Sequence, residues 1–220
     1  MDYSFLQCGE GALTVHLGDG IDPAINRRVT ALQGAIGSAG LRGITDLIPA
    51  YADLTVCYDC TVISAKALQR QLRRLLDSLS VAGQDRRRVF QLPVCYGGDY
   101  GPDLDFVCHH SGLSAQEVIE LHSAPDYLIY MLGFLPGFAY LGGLDPRLHT
   151  PRLDSPRTCI PAGSVGIGGA QTGVYPLASP GGWQLLGRTP VSVFDRQRQE
   201  PILYRAGDLV HFCLLYTSPS

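Results

Sequence analysis

The fold of the C-terminal half is decided by residues 160–190, which read IPAGSVGIGGAQTGVYPLASPGGWQLLGRTP. This stretch contains three short apolar runs, SVGIG, GVYPL and WQLLG, which are separated by GAQT and ASPGG. Strands that are this short and this regularly interrupted are typical of small barrels. Similar runs lie on both sides: YLIYML at 127–132, and VSVFD, PILY and DLVHF between 191 and 212. We therefore predict a closed or nearly closed antiparallel β-barrel.

Composition limits the class of protein. Of 220 residues, 45% are hydrophobic and 17% are charged, which excludes a disordered or coiled-coil chain. The net charge of −3 argues against a nucleic-acid partner. The N-terminus lacks a signal-peptide pattern, and the uncharged run 127–144 is broken by glycines and Pro136. We expect a cytoplasmic protein without a membrane span, with reduced cysteines and no metal site.

The first ninety residues predict a small α/β unit. A strand at 12–17 is followed by a helix that Asp22 caps, and then by a hairpin over 43–58. Ser64 caps a second helix with a leucine stripe, and a strand at 89–94 follows it. The order β-α-β-β-α-β is that of ferredoxin-like domains. We predict an α+β chain with a ferredoxin-like domain at 1–92 and the barrel domain at 93–212.

Two short helices are predicted between these parts, at 104–109 and 114–122. Ser114 and Glu117 form a capping-box pattern at the start of the second. His109, His110 and His122 lie on these helices, and we interpret all three as solvated helix residues.

Two catalytic motifs fail in the glycine-rich segment. The run GGAQTG at 168–173 has glycines at P-loop separation, but Val174 and Tyr175 follow where Lys and Ser or Thr are required. The run AGSVG around Ser164 loosely resembles a nucleophile elbow, but Ala162 replaces its first glycine. Neither motif gives a self-sufficient active site.

What remains is a polar set lined by glycines such as Gly181 and Gly182. Glycine permits close approach of a ligand, and Arg188 has the chemistry to hold a carboxylate or phosphate. The alternative is that the glycines only turn tight barrel corners, and the spacing leaves both interpretations open. The polar members are Arg152, Arg157, Gln171, Thr172, Tyr175, Ser179, Trp183, Arg188 and Thr189.

Residues 160–190 also resemble a known family, together with GFLPGFAYLGGLDPRL at 133–148, PRLDSPR at 151–157 and AGDLVHF at 206–212. This is the family of the 5-oxoprolinase B subunit, also called the KipI or allophanate hydrolase subunit 1 family. The resemblance extends over residues 3–212. It implies a small N-terminal α/β domain and a C-terminal cyclophilin-like β-barrel.

The resemblance implies an ATP-dependent enzyme that opens the lactam of 5-oxo-L-proline to L-glutamate in a complex with the A and C subunits of 5-oxoprolinase, the latter KipA-like. ATP and Mg²⁺ are then expected in the complex, although this chain has no nucleotide motif. We expect Arg188, Gln171 and Tyr175 to be catalytic. The expected substrate or partner cleft comprises Arg152, Arg157, Ser164, Thr172, Ser179, Gly181, Gly182, Trp183 and Thr189.

Similar proteins imply two other functions: inhibition of a sporulation histidine kinase, and one half of the carboxyltransferase unit of urea carboxylase. A purely scaffolding role in a shared active site is a further alternative. The chain departs from the family pattern at Ala139 and Ala170, where Pro and Gly are more usual. It departs more at residues 213–220, CLLYTSPS, which we expect to be a non-native tail outside the fold.

Overall fold

A computed structural model describes residues 3–79 and 87–215 of the chain. The chain divides into two compact units, Met1–Arg86 and Arg87–Ser220. The domain boundary expected after residue 92 would fall inside a strand that runs from Val89 to Tyr96.

The described part of the N-terminal unit is a four-stranded antiparallel sheet with two helices. Asp22 accepts a hydrogen bond from the Ala24 backbone as the N-cap of the first helix, and Gly40 ends this helix in the left-handed conformation. Leucine, valine and isoleucine side chains of both helices pack against one face of the sheet. The elements are β1 (Ser4–Cys8), β2 (Ala12–His16), α1 (Pro23–Ala39), β3 (Ile44–Pro49), β4 (Asp53–Tyr58) and α2 (Ala65–Asp77).

The ferredoxin-like prediction for this unit is not confirmed. In a ferredoxin-like unit, a strand after the second helix joins the same sheet. Here the strand at 89–96 belongs to the barrel, and the sheet order is β1-β2-β4-β3. The edge beside β2 is filled by β1, which pairs with β2 antiparallel from Ser4↔His16 to Cys8↔Ala12. The sequence analysis did not predict β1, and it assigned the strand at 89–94, which lies in the barrel, to this edge of the sheet.

Seven of the described strands of the C-terminal unit close into a barrel in the order β10-β7-β6-β13-β5-β12-β9. The predicted closed barrel is therefore confirmed. One pair departs from the antiparallel prediction, because β5 and β13 run parallel from Leu209↔Val89 to Leu214↔Val94. The strands are β5 (Val89–Tyr96), β6 (Asp126–Leu132), β7 (Ala139–Gly142), β8 (Arg157–Ile160), β9 (Ser164–Gly168), β10 (Gln171–Val174), β11 (Ser179–Gly181), β12 (Gln184–Arg188) and β13 (Leu209–Leu214).

The predicted strands VSVFD and PILY are wrong. Their segments face each other, but the only ladder contact among these described residues is one bridge between Phe194 and Ile202. Pro190 precedes the first segment and Pro201 begins the second, and neither has an N–H group to donate to a ladder. In contrast, β8 and β11 form a separate two-stranded sheet beside the barrel.

Helices α3 (Leu104–Ser111) and α4 (Ala115–Ser123) pack on the barrel through buried residues such as Val107 and Val118. The capping box of α4 is confirmed. The Glu117 backbone N–H donates to Ser114 Oγ, and the Ser114 backbone N–H donates to the Glu117 carboxylate at 2.8 Å.

We expect Ser114→Ala to lower the free energy of unfolding of the barrel unit by about 1 kcal/mol, because it removes one side of the cap. Urea denaturation measures this change. Ser123→Ala on the same helix is the matched control, since its hydroxyl makes only a long 3.5 Å contact with the Glu120 carbonyl. Equal effects of the two changes would contradict the assignment of the cap.

The first residues of the expected tail belong to the fold. Cys213 and Leu214 extend β13 opposite Pro93 and Val94, and the Leu215 N–H donates to the Val94 carbonyl at 2.8 Å. Residues 213–215 are therefore part of the described fold, and the non-native origin of 213–220 stays a prediction. Residues 216–220 lie outside the described residues.

Candidate functional site

An aromatic cleft of about 290 Å³ opens on the barrel unit. Phe138 stands at its centre, with its ring centroid 5.1–5.5 Å from those of four other aromatic residues. All four contacts have edge-on geometry, which is favourable between aromatic quadrupoles. The cleft is lined by Phe134, Phe138, Tyr140, Arg152, Pro156, Tyr175, Pro180, Gly181, Gly182 and Trp183.

Arg152 brings the positive charge to this cleft. Its guanidinium carbon lies 5.9 Å from the centroid of the Trp183 ring, within the range of a cation–π contact. The structure gives the exposed Arg152 side chain no hydrogen bond or ion pair with any described residue. Its donors are therefore available to an anion.

Tyr175 adds a hydroxyl group that stays protonated. Burial raises the pKa of Tyr175, while a hydrogen bond from the Trp183 backbone and the charges of Arg152 and Arg157 oppose the shift. Gly181 makes room for this hydroxyl, because a Cβ atom there would stand 2.5 Å from Tyr175 Oη. The phenol thus remains a neutral hydrogen-bonding group at neutral pH.

Phe134, which also lines this cleft, has a strained backbone conformation. Its φ is +68°, in the left-handed region that bulky residues rarely adopt, and its side chain is 62% exposed. This conformation costs on the order of 1–2 kcal/mol. An exposed phenylalanine held at such a cost is typical of a ligand-binding edge.

Arg188 lies in a second cleft of about 430 Å³, and the two clefts share no lining residue. Arg188 Nε donates to the Ala162 carbonyl at 2.8 Å, which fixes the side chain and leaves its terminal nitrogens free of other described residues. Thr189 lines this cleft too, and its backbone N–H donates to the Gly163 carbonyl. The structure therefore places the expected catalytic residues Arg188 and Tyr175 in different clefts.

Arg157 is occupied by a structural ion pair. Its Nη2 lies 2.7 Å from Asp103 Oδ1, and the other oxygen of this carboxylate accepts the Leu185 backbone N–H at 2.6 Å. Arg157 Nη1 also donates to the Trp183 carbonyl at 3.4 Å. The Arg157 side chain therefore contacts the Trp183 backbone, and the Asp103 carboxylate neutralises its positive charge.

The other expected site residues lie outside the linings of both clefts. Ser164 is buried at the start of β9 in the barrel wall, where its carbonyl accepts the Tyr175 N–H, so it is not on a strand-to-helix elbow. Gln171 begins β10. Ser179 is buried, and its hydroxyl has no hydrogen-bond partner among the described residues.

Thr172 belongs to a buried hydrogen-bond chain that includes His122. Thr172 Oγ1 donates to the Gly166 carbonyl at 3.0 Å and lies 2.7 Å from His122 Nε2. Nε2 is therefore the donor, and Nδ1 accepts from Tyr96 Oη at 2.7 Å. Burial lowers the pKa of His122 to about 3. The interpretation of His122 as a solvated residue is wrong, whereas His109 and His110 are exposed.

Comparison with known proteins decides the family. Residues 3–204 match the carboxyltransferase domain family, subdomains C and D. The chain belongs to this carboxyltransferase domain family. The 5-oxoprolinase B subunit of Bacillus subtilis (strain 168) is 42% identical over 96% of this chain and 92% of its own length. The 5-oxoprolinase B subunit of Escherichia coli O157:H7 is 45% identical over 93% and 92%.

Solved structures agree with this carboxyltransferase-family fold. The crystal structure of TTHA0988 has a TM-score of 0.82 and 41% identity over 94% of this chain, which spans 40% of that protein. The Kluyveromyces lactis urea carboxylase has a TM-score of 0.78 over 97% of this chain, which spans 22% of that enzyme. At 22% identity, the second likeness supports the fold alone.

In this carboxyltransferase-family chain, three of the four segments that carry the resemblance converge on the aromatic cleft. Residues 133–148 contribute Phe134, Phe138 and Tyr140. Residues 151–157 contribute Arg152 and Pro156, and residues 160–190 contribute Tyr175 and the run from Pro180 to Trp183. The sequence interpretation missed the three aromatic residues of the first segment. Aromatic side chains inside a Gly- and Pro-rich run were the available signal.

Two observations on the described residues concern nucleotide and metal binding. The GGAQTG loop joins the antiparallel strands β9 and β10, so it does not present a phosphate cradle at a helix N-terminus. No group of three or more His, Cys, Asp or Glu side chains among the described residues is arranged to hold a metal ion. Nor does the described part of the chain contain a helix long and apolar enough to cross a membrane.

Proposed function

We propose that this chain is the B subunit of a 5-oxoprolinase complex, which opens 5-oxo-L-proline to L-glutamate with ATP and with A and C subunits as partners. The convergence of the three family segments on a cleft with an unpaired arginine is the observation that carries this proposal. Relatives named as 5-oxoprolinase B subunits, which match over nearly their full length, support the assignment of this chain as that subunit.

Ring opening of 5-oxo-L-proline requires groups that hold the substrate and stabilise negative charge, and the aromatic cleft contains such groups. A five-membered lactam is a resonance-stabilised amide, so water attacks it only after its carbonyl oxygen is activated, for example by phosphorylation. Residues of the chain then need to hold the substrate and to stabilise developing negative charge. Within the proposal, the aromatic cleft provides Arg152 as a cation and the neutral Tyr175 hydroxyl as a hydrogen-bonding group.

We assign ATP and Mg²⁺ to the partner subunits. The loop that most resembles a phosphate-binding motif joins two antiparallel barrel strands here and does not precede a helix. No step of the reaction is therefore assigned to a nucleotide bound by this chain. We assign Arg188 as an anion contact in the second cleft. Its terminal nitrogens make no hydrogen bond to other described residues, so they can bind a separate phosphate or carboxylate group.

The direct test is reconstitution of the complex with candidate A and C subunits of the same genome. We expect ATP-dependent formation of glutamate from 5-oxo-L-proline with all three chains, and at least a 100-fold loss when this chain is omitted. The Arg70→Gln variant serves as a control, because this exposed residue lies on α2 of the other unit. Equal turnover by the partners alone would refute the proposal.

A carboxyltransferase role is the second candidate, because the matching family bears that description and the urea carboxylase of Kluyveromyces lactis shares the fold. In that role the complex would transfer a carboxyl group from a biotin carrier to urea. An assay of the reconstituted complex with urea, bicarbonate and a biotinylated carrier separates the two reactions. A parallel assay of histidine kinase autophosphorylation tests the inhibitor alternative.

A further inference from the structure

The aromatic cleft has the size and wall of a site for one small ring. Its volume of about 290 Å³ lies at the lower end of the range for small-molecule pockets. The buried residues Phe138, Tyr175 and Trp183 form one apolar cluster. This wall favours a ligand with a compact, partly apolar body over a fully hydrated ion.

Arg152 places a positive charge beside this apolar cluster, and no described carboxylate forms an ion pair with it. Arg157, the other arginine of the PRLDSPR segment, is paired with Asp103 at 2.7 Å. Arg152 has no such partner in the described residues, and it also lines the cleft. A guanidinium with free donors selects a carboxylate or phosphate, and a planar fork suits the two oxygens of a carboxylate.

Gly181 and Gly182 contribute backbone without side chains to the cleft beside Tyr175. Gly181 lacks a side chain where a Cβ atom would collide with Tyr175 Oη and with Ile160 Cδ1. Gly182 has more space, with no atom closer than 3.7 Å to a Cβ built there. The Tyr175 hydroxyl and Ile160 Cδ1 therefore occupy the space that a side chain at position 181 would need, and Tyr175 packs directly on the Gly181 backbone.

From these features we infer that the aromatic cleft binds a small cyclic carboxylate, with the ring against Trp183 and Phe138 and the carboxylate on Arg152. The choice of 5-oxo-L-proline as the ligand of this class rests on the proposed function. Arg152 thereby becomes the residue that distinguishes a ring with a carboxylate from the same ring without one.

The test uses the only tryptophan of the chain, since Trp183 lies in the cleft itself. The full chain, without partners or ATP, is titrated with 5-oxo-L-proline while the tryptophan fluorescence is recorded. We expect a saturable change, and about 30-fold weaker binding of pyrrolidin-2-one, which has the same lactam ring but no carboxylate.

Arg152→Gln is expected to weaken binding of 5-oxo-L-proline by about 30-fold and to leave binding of pyrrolidin-2-one unchanged. Arg152→Lys keeps the charge and should recover part of the affinity, and Arg70→Gln should bind like the wild type. Circular dichroism checks that each variant is folded.

Two results would overturn the inference: no saturable fluorescence change in the wild-type chain, or equal affinities of wild type and Arg152→Gln for 5-oxo-L-proline. These outcomes are distinct from failure of the proposed function, which concerns turnover by the complex. Binding without turnover would refute the enzyme assignment alone, and turnover without binding to this chain would refute the cleft assignment alone.

Discussion

Replacing His122 with leucine is expected to lower the free energy of unfolding of the barrel unit by about 4 kcal/mol. His122 is fully buried, and each ring nitrogen lies 2.7 Å from a hydroxyl oxygen, that of Tyr96 or that of Thr172. Leucine would leave the Tyr96 hydroxyl without its acceptor and the Thr172 hydroxyl without its donor. The branched side chain would also replace the ring that stacks on Phe212 at 4.8 Å.

Urea denaturation followed by near-ultraviolet circular dichroism measures this loss. His109→Leu is the matched control, because His109 is exposed on α3 and should change stability by less than about 0.5 kcal/mol. If both variants lose the same small amount, the buried hydrogen-bond chain does not stabilise the barrel as described.

The same residue makes the barrel sensitive to acid. The pKa of His122 falls from 6.5 to about 3 because burial disfavours the charged ring. Between these two values the unfolded chain binds a proton that the folded chain does not, so stability decreases as pH falls through this window. The single residue should cost about 1.4 kcal/mol per pH unit below 6.5. In His122→Leu this part of the pH dependence should disappear, and an unchanged pH profile would contradict the buried neutral state.

Local features of the fold were predictable because they depend on neighbouring residues. Asp22, Ser64 and Ser114 cap helices as the sequence indicates. The strand predicted at 89–94 is present as β5 (Val89–Tyr96), but the sequence did not indicate its partner strand. Its pairing with β13 joins Leu209 to Val89, and no local pattern encodes a contact of that separation. The ferredoxin-like interpretation failed at this point.

The candidate site was predictable as a set of segments, not as a geometry. Arg152 and Arg157 stand in the same PRLDSPR segment and look equivalent in sequence. Only the fold brings Asp103 to Arg157, across 54 residues, and leaves Arg152 unpaired. Arg188 and Tyr175 were grouped for the same reason, although the barrel separates them into two clefts. Charge neutralisation and cleft membership are tertiary properties that residue type and spacing do not encode.

Arg152 and Arg188, one in each cleft, are the residues whose replacement should have the largest effect on turnover. We expect Arg152→Gln to lower kcat/KM of the reconstituted complex for 5-oxo-L-proline by about 100-fold, mainly through KM. The reason is that the carboxylate takes no part in the bond changes at the lactam carbonyl, so its contact with Arg152 is equally strong in the ground state and in the transition state. Loss of such a contact weakens binding without slowing the chemical step.

Arg188→Gln separates this prediction from the alternative site, because the two clefts share no lining residue and a molecule as small as 5-oxo-L-proline occupies one of them. We expect this variant to cause the smaller loss in kcat/KM, and to act on kcat if Arg188 holds a phosphate group. Steady-state kinetics of both variants, beside Arg70→Gln, provide the measurement. A larger rise in KM for Arg188→Gln than for Arg152→Gln would move the substrate to the cleft of Arg188, since the carboxylate contact would then lie there.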